Sequence, residues 1–178
     1  MVTLDGFFDG PNRDISWHNV DAEFNEFAIE QTGSVGALLF GRVTYELMAS
    51  FWPTTFALET DPIVADLMNR LPKLVFSTTL AKADWNNTRL IKDHVAEEIS
   101  QLKQQPGKDL ALFGSANLMS ALMKLDLIDE HRIMVNPVIL GSGTPLFKRA
   151  ENKQNLKLIN TRIFGNGNVL LFYQPDRK

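Results

Sequence analysis

A chain of 178 residues is long enough for a continuous core and a ligand cleft, and we expect residues 1–178 to form a single domain. Hydrophobic residues make up 44% of the sequence and charged residues 22%, a globular balance that argues against a disordered or fibrous chain. The net charge of −3, with acidic and basic residues interspersed, lacks the basic stripe of a nucleic-acid-binding protein, so no nucleic-acid partner is expected.

The sequence also excludes several kinds of site. It contains no cysteine, which rules out disulfides, thiolate metal sites and cysteine nucleophiles. Its three histidines show no metal-ligand spacing, so no metal site is predicted. Residues 1–6 lack the pattern of a signal peptide, and no stretch approaches the ~20 apolar residues of a membrane span. We therefore expect a cytoplasmic protein without a membrane partner.

Apolar runs alternate with helical periodicity from residue 21 to about residue 125, which is typical of α/β proteins. Asp21 is a suitable cap for the first helix, and a carboxylate followed by proline at Asp61-Pro62 predicts the start of another. The apolar stripe of that second helix is predicted to be Ile63, Leu67 and Leu71. The predicted strands are residues 35–40, 74–77, 89–91 and 110–113, and the predicted helices begin near residues 21, 42, 62, 95 and 116.

The last third of the chain changes to an antiparallel pattern. A strand at residues 133–135 precedes a glycine-rich loop, and residues 156–164 and 169–173 form a hairpin around a turn that tolerates positive φ. The predicted fold is three-layer α/β, with a central mixed, mostly parallel sheet flanked by helices and a C-terminal antiparallel hairpin. Because the apolar positions of the hairpin must be covered, we expect it to contribute to a homodimer.

Two strand-to-helix junctions carry small residues where open α/β sheets bind ligands, beyond the carboxyl ends of strands. Residues 40–46 combine a helix N-terminus with a guanidinium and a hydroxyl, which suits a diphosphate; an ordinary turn with a solvated arginine is the alternative. Residues 113–117 lack the three-glycine fingerprint, and a plain tight turn is the alternative there. The hydroxyls of Ser77 and Thr78 can donate to a ribose phosphate or cap a turn.

Four segments carry a family resemblance. They are residues 3–7 (Thr-Leu-Asp-Gly-Phe), residues 41–46 (Gly-Arg-Val-Thr-Tyr-Glu), residues 113–116 (Phe-Gly-Ser-Ala) and residues 129–147, which include Pro-Val-Ile-Leu-Gly-Ser-Gly-Thr-Pro-Leu-Phe. In this order they resemble the reductase domain of the bifunctional riboflavin-biosynthesis deaminase-reductase and its stand-alone relatives. The second segment is similar to the glycine-arginine-x-threonine-aromatic-glutamate motif of dihydrofolate reductases.

This resemblance implies a dihydrofolate-reductase-like fold and an oxidoreductase that transfers hydride to a small pterin, folate or riboflavin-precursor pyrimidine. The implied cofactor is NADPH, with NADH left open because no arginine adjoins Ser77. The implied cofactor-binding residues are Gly41, Arg42, Val43, Thr44, Ser77, Thr78, Gly114, Ser115, Ala116 and Asn117. The implied substrate-binding residues are Asp5, Trp17, His18 and Gly141. No catalytic residue is assigned.

The sequence departs from the family pattern in its first helix and at its second glycine junction, among other places. Asp21, Glu23 and Glu26 are candidates for the acid that dihydrofolate reductases place on the first helix, but Asp21 is better explained as a cap and the glutamates as a solvated face. Ser115 and Ala116 stand where glycine often occurs. The alternative function is therefore a non-catalytic protein that binds a nucleotide or small molecule with the same fold. A third reading is an interaction module whose cleft is filled by Trp17, Trp52 or Phe147.

Overall fold

The computed structural model describes residues 1–147 and 153–177, and the chain divides into two compact units. We call Met1–Asn25 with Ser120–Lys178 the terminal unit, and Glu26–Met119 the central unit. A single domain over residues 1–178 stays a prediction. Among the described residues, no helix has both the length and the apolar character that crossing a membrane requires. A cytoplasmic location likewise stays a prediction.

The central unit is built on a wholly parallel sheet with the strand order β5-β4-β3-β6. Its strands are β3 (Ala37–Gly41), β4 (Lys73–Phe76), β5 (Thr88–Ile91) and β6 (Leu110–Leu112). The α-helices of the described chain are α1 (Ala22–Ser34), α2 (Arg42–Phe51), α3 (Thr55–Thr60), α4 (Pro62–Arg70), α5 (Val95–Lys103) and α6 (Ala116–Lys124), and a 3₁₀ turn covers Pro11–Arg13. Every residue of β3 and β4 is buried, as expected for parallel strands covered on both faces.

Lys73 is the exceptional residue of this core, since its side chain is ionisable and only 1% exposed. Its Nζ donates hydrogen bonds to three carbonyl oxygens at the end of α4, those of Met68 (2.8 Å), Asn69 (3.0 Å) and Leu71 (2.7 Å). The same Nζ lies 4.5 Å from the ring centre of Trp85. The ammonium therefore satisfies carbonyls that a helix leaves without intrahelical partners.

The terminal unit contains a sheet with the order β1-β7-β10-β9 and a two-stranded ladder of β2 and β8. The strands are β1 (Val2–Thr3), β2 (Phe7–Asp9), β7 (His131–Asn136), β8 (Thr144–Pro145), β9 (Leu156–Ile163) and β10 (Val169–Pro175). β1 is parallel to β7, whereas β7, β10 and β9 are antiparallel neighbours. The turn of the hairpin closes with the N–H of Phe164 donating to the carbonyl of Asn168 (2.9 Å), and Gly167 there has φ +90°.

These elements confirm the α/β class, with its parallel strands, its helices and its C-terminal antiparallel hairpin. The cap of the first helix is also confirmed, because the N–H of Phe24 donates to the carboxylate of Asp21 (2.8 Å). Helix α3 is not predicted from the sequence. The hydroxyl of Thr54 caps its N-terminus by accepting from the N–H of Ala57 (3.2 Å).

The prediction for α4 was right about its start and wrong about its cap and about one residue of its apolar stripe, whereas Leu71 of that stripe does pack against the core. Asp61 makes no side-chain capping bond, because it also ends α3, where its N–H donates to the carbonyl of Ala57 (3.0 Å), and its backbone has φ −133° and ψ 61°. Ile63, placed in the predicted apolar stripe, is 56% exposed. The buried residues of α4 are instead Val64, Ala65 and Met68.

Candidate functional site

The predicted cofactor-binding residues all lie at one edge of the parallel sheet of the central unit. β3 pairs with β4 and with β6 in register, so that Gly41 is opposite Phe76 and Leu39 is opposite Leu112. The carboxyl ends of these three strands therefore share an edge. The residues that follow them are those of the three predicted segments: residues 41–44, 77–78 and 114–117.

Two of these segments approach each other closely. Gly41 precedes α2 without any side-chain cap, and a Cβ added at Gly41 would collide with the Oγ of Ser115 and lie 3.2 Å from its Cβ. Ser115 has φ +63° and follows Gly114, which has φ +70°. A serine in this left-handed region is uncommon, and such strain concentrates at functional sites. Small residues are thus required where the two turns meet.

Arg42, in the first turn of α2, is half-exposed and pairs with Glu46 one turn later, at 2.9 and 3.1 Å. A pair of this exposure contributes only about 0–1 kcal/mol, so the guanidinium can leave Glu46 for a stronger anion. Thr44 is buried and Val43 is exposed. At the second junction Ala116 is buried and Asn117 is exposed.

For Ser77 the structure shows the turn-capping role that the sequence left open. Its Oγ accepts from the backbone N–H groups of Thr79 (3.2 Å) and Leu80 (3.0 Å), while Thr78 is exposed. This hydroxyl shapes the loop after β4, and Thr78 presents its hydroxyl to solvent.

The edge fits an anionic dinucleotide by its own chemistry. The uncapped N-terminus of α2 offers backbone N–H groups and the positive end of the helix dipole, which favour phosphate oxygens. Arg42 adds a half-exposed positive charge, and the side chain that meets Gly41 most closely across the junction is the small one of Ser115.

Two of the predicted substrate residues, Asp5 and Gly141, lie together in the terminal unit. The Oδ1 of Asp5 accepts from the hydroxyl of Thr3 (2.6 Å) and the N–H of Leu140 (3.3 Å), and its Oδ2 accepts from the N–H of Gly141 (2.8 Å). The hydrogen bond from Thr3, followed by those from the two amides, holds the pKa of Asp5 below its ordinary value. Asp5 thus fixes the glycine-rich loop, where Gly141 has φ +72°.

The other two, Trp17 and His18, also lie together. Their rings meet edge to face with centroids 4.5 Å apart, and the indole N–H of Trp17 donates to the carbonyl of Asp14 (3.1 Å). Burial lowers the pKa of His18 to about 4, so its imidazole is neutral at pH 7. Within the described part of the chain, its buried Nε2 has no hydrogen-bond partner. The imidazole of His18 is therefore a neutral ring that packs against the half-buried indole of Trp17.

Two of the three candidate acids near the start of the first helix make hydrogen bonds within the protein. Asp21 caps α1, and the Glu23 carboxylate accepts from the N–H of Gly165 (2.8 Å) and lies 3.5 Å from the guanidinium of Arg162. Glu26 is exposed on the central unit. These contacts support the interpretation of Asp21 as a cap, whereas Glu23 holds the hairpin turn rather than forming part of a solvated face.

A separate cavity of about 790 Å³ opens at the amino ends of the same parallel strands. Its walls include Gly36, Lys73, Asn87 and Leu110, and none of the predicted cofactor-binding residues. The buried Lys73 ammonium already has three carbonyl partners, so the cavity offers no unused buried charge.

The chain is similar to known proteins over nearly its whole length. Residues 1–170 match the family model described as the RibD C-terminal domain. Uncharacterized protein YyaP of Bacillus subtilis (strain 168) is 36% identical over 174 residues, which cover 97% of this chain and 90% of YyaP.

Solved structures share the fold. A putative riboflavin biosynthesis protein from Shewanella sp. PV-4 has a TM-score of 0.74 at 24% identity, over 99% of this chain and 96% of that one. A Thermotoga maritima diaminohydroxyphosphoribosylaminopyrimidine deaminase/5-amino-6-(5-phosphoribosylamino)uracil reductase has a TM-score of 0.67 at 15% identity, over 98% of this chain and 54% of its own length. Dihydrofolate reductase from Enterococcus faecalis, complexed with NADP(H) and RAB-propyl, has a TM-score of 0.65 at 13% identity, over 98% and 92%. These likenesses confirm the predicted dihydrofolate-reductase-like fold.

Proposed function

The chain belongs to the RibD C-terminal domain family, and on that basis we propose that it is an NADPH-dependent reductase of a small heterocycle of the pterin, folate or riboflavin-precursor pyrimidine type. The observation that carries the proposal is the meeting of Gly41 and Ser115 at the carboxyl edge of the parallel sheet. The reductase name of the Thermotoga protein and the NADP(H) complex of the Enterococcus protein support the reaction class and the cofactor.

In this proposal the cofactor diphosphate is held by the central unit. The first turn of α2 and the turn at Gly114–Ser115 donate backbone N–H groups, and Arg42 exchanges Glu46 for a phosphate oxygen in a charge-assisted hydrogen bond. When bound, the nicotinamide supplies the hydride, and the protein contributes binding and orientation. Thr78, which is exposed after β4, would contact the adenosine ribose.

The heterocycle is assigned to the terminal unit. The indole of Trp17, which is only half-buried, contacts the ring of the substrate, and the neutral imidazole of His18 supports that indole edge to face. Asp5 acts through the loop that it holds, because both of its oxygens already accept hydrogen bonds. Gly141 then forms one wall of the site.

The first test is a titration with NADPH and with NADH that follows quenching of tryptophan fluorescence. We expect saturable binding of NADPH, and Arg42→Ala to weaken it about tenfold or more, because a charge-assisted contact to phosphate is lost. Arg89→Ala is the matched control, since Arg89 is also an exposed, ion-paired arginine of this unit but lies on β5 and pairs with Glu98. Binding of neither nucleotide would contradict the proposal.

The alternative is a non-catalytic protein of the same fold that binds a nucleotide or small molecule. It is favoured by the commitment of the carboxylates of Asp5, Asp21 and Glu23 to hydrogen bonds within the protein. NADPH oxidation, followed by absorbance with a panel of pterins and aminopyrimidines, separates the two functions. Saturable NADPH binding without oxidation by any member of the panel would support the alternative.

We also propose that the hairpin forms a homodimer. β9 is an edge strand of its sheet, and it leaves Leu158, Ile159 and Ile163 exposed. A long apolar edge is a template for pairing with a second copy. Sedimentation should give twice the 20.1 kDa mass of the chain, and Ile163→Lys should shift the protein toward the monomer. A monomer for the unmodified chain would contradict this proposal.

A further inference from the structure

The loop that carries Trp17 and His18 is fixed at its next residue, Asn19, by the side chains of three other asparagines. The N–H of Asn19 donates to the Oδ1 of Asn136 (3.0 Å). The carbonyl oxygen of Asn19 accepts from the Nδ2 of Asn168 (2.7 Å) and the Nδ2 of Asn166 (3.2 Å). We call Asn136, Asn166 and Asn168 the asparagine clamp.

The clamp is anchored deep in the terminal unit. Asn136 and Asn168 are both 0% exposed. Asn136 ends β7, and its Nδ2 donates to the carbonyl of Val2 on β1 (3.3 Å). Asn168 belongs to the hairpin turn, where its own N–H donates to the Oδ1 of Asn166 (3.0 Å). The loop is thus tied to a strand end and to a turn that lie far from it along the chain.

Burying the side-chain amides of Asn136 and Asn168 costs free energy. Their hydrogen bonds indicate which part of the structure they hold in place. A buried amide destabilises a protein unless its polar atoms find partners. Within the described residues, the Oδ1 of Asn168 is buried without any hydrogen-bond partner, whereas its Nδ2 donates to the carbonyl of Asn19. An apolar residue would avoid that penalty. The arrangement therefore favours the position of the Asn19 backbone over the stability of the turn.

We propose that Asn136 and Asn168 are positioning residues that fix Asn19 and thereby hold Trp17 and His18 in place for the heterocyclic substrate. The turn before Asn19 completes the restraint, because the N–H of His18 donates to the carbonyl of Ile15 (3.0 Å). This inference rests on the proposed function, since it needs His18 on the substrate side.

The test is an NMR titration of the histidine ring protons in the ligand-free protein. Burial lowers the pKa of His18 to about 4, against the nearby Asp14 carboxylate, which raises it, and with the N-terminal amine of Met1, which lowers it further. In Asn168→Ala the Asn19 carbonyl loses its shortest hydrogen bond, so the loop opens and the pKa of His18 rises toward 6.5, the ordinary value for histidine.

Asn136→Ala should shift the titration in the same direction, because it removes the acceptor of the Asn19 N–H. The pKa of His131, which burial also lowers, should stay unchanged in both variants, since His131 lies at the opposite end of β7 from Asn136. A rise for His18 alone is the expected result.

A matched control separates positioning from general loss of stability. Asn69 of the central unit also uses both ends of its amide, donating to the carbonyl of Trp52 (2.9 Å) and accepting from the indole of Trp85 (2.7 Å). Asn69→Ala should lower the Tm and leave the titration of His18 unchanged. If Asn168→Ala lowers the Tm and also leaves that titration unchanged, the clamp is only structural and the proposal is overturned.

If the buried variants fail to fold, Asn166→Ala takes their place, because Asn166 is only half-buried and the change removes its clamp bond to the carbonyl of Asn19 (3.2 Å). A smaller rise in the pKa of His18 supports the proposal, and no rise overturns it.

NADPH titrations of the same proteins keep the two proposals apart. The predicted cofactor-binding residues all lie in the central unit, so the clamp variants should bind NADPH as the unmodified chain does. Unchanged NADPH affinity with an unchanged His18 titration overturns the clamp alone. Failure of the unmodified chain to bind NADPH overturns the proposed function, and with it the substrate role of the clamp.

Discussion

Lys73 is an ionisable residue buried in the core of the central unit, a position that its side chain alone would not predict. It lies in the buried strand β4, between β3 and β5, and its three N–H donors match three carbonyl acceptors at the end of α4. Burial lowers the pKa of Lys73 to about 8, so the ammonium form still predominates at pH 7. The charge is stabilised by the negative end of the helix and by the face of Trp85.

Lys73→Met should therefore be strongly destabilising. Methionine keeps most of the apolar stem but leaves the three carbonyls without their donor, and we expect a loss of about 3 kcal/mol in the free energy of unfolding. Urea denaturation at pH 7 measures it. Lys108→Met is the control, because Lys108 is exposed and donates to a single carbonyl, that of Gly33 (2.8 Å). Similar losses in the two variants would contradict the role given to Lys73.

At the scale of elements, the two strand-to-helix junctions of the central unit restrict each other's residues. Gly41 has φ −81°, a conformation open to any residue, so its need for glycine comes from Ser115 across the junction and not from its own backbone. Ser115 has the opposite problem, since its φ of +63° favours glycine. The residue at each of these two positions therefore limits which side chains the other position can carry.

This coupling predicts a non-additive pair of substitutions. Gly41→Ala should cost about 1 kcal/mol, because its Cβ forces the Ser115 side chain to move. In a Ser115→Gly background the same change should cost close to nothing, since the obstructing Oγ and Cβ are gone. A double-mutant cycle by urea denaturation measures the interaction free energy. Equal costs of Gly41→Ala in both backgrounds would contradict the packing described.

For the whole molecule, one half-buried and one buried histidine, His18 and His131, make stability depend on pH. Burial lowers the pKa of His18 to about 4 and that of His131 below its ordinary value. Between the folded pKa of about 4 and the ordinary value of 6.5, the unfolded chain binds more protons than the folded chain. The free energy of unfolding therefore rises with pH across this window and falls on acidification.

We expect the unmodified chain to lose about 1–2 kcal/mol of stability between pH 7 and pH 5 through His18. His18→Gln should remove most of that loss and leave the part that His131 contributes. Urea denaturation of both proteins at the two pH values tests this. The same pH dependence in both proteins would show that folding does not lower the pKa of His18.

The strands of the central sheet are predicted well because their residue patterns are compatible with few other structures. A run such as residues 35–40, apolar on both faces, is typical of a strand covered on two sides, and β3 occupies Ala37–Gly41. Helix α4 shows where such reasoning fails, because the unexpected α3 just before it changes the role of Asp61.

The site is harder to predict, because its supporting contacts join distant parts of the chain. Asn136 and Asn168 lie 117 and 149 residues from Asn19, and no local pattern marks either of them as its partner. Asn168 is read from the sequence only as a turn residue, and Lys73 only as the residue before a strand. Glycine junctions and motifs identify the cofactor edge, whereas the residues that hold the loops emerge only from the fold.

The hairpin turn also affects how readily the protein deamidates during storage. Asparagine followed by glycine deamidates when the glycine nitrogen attacks the side-chain carbonyl and releases ammonia, and Asn166-Gly167 is such a dipeptide. Here the nitrogen of Gly167 donates to the carbonyl of Phe164 (3.0 Å), and the Asn166 amide is bonded at both ends, to Asn19 and to Asn168. The folded chain therefore protects this dipeptide, and a stored preparation accumulates acidic forms in proportion to the time that its turn spends open.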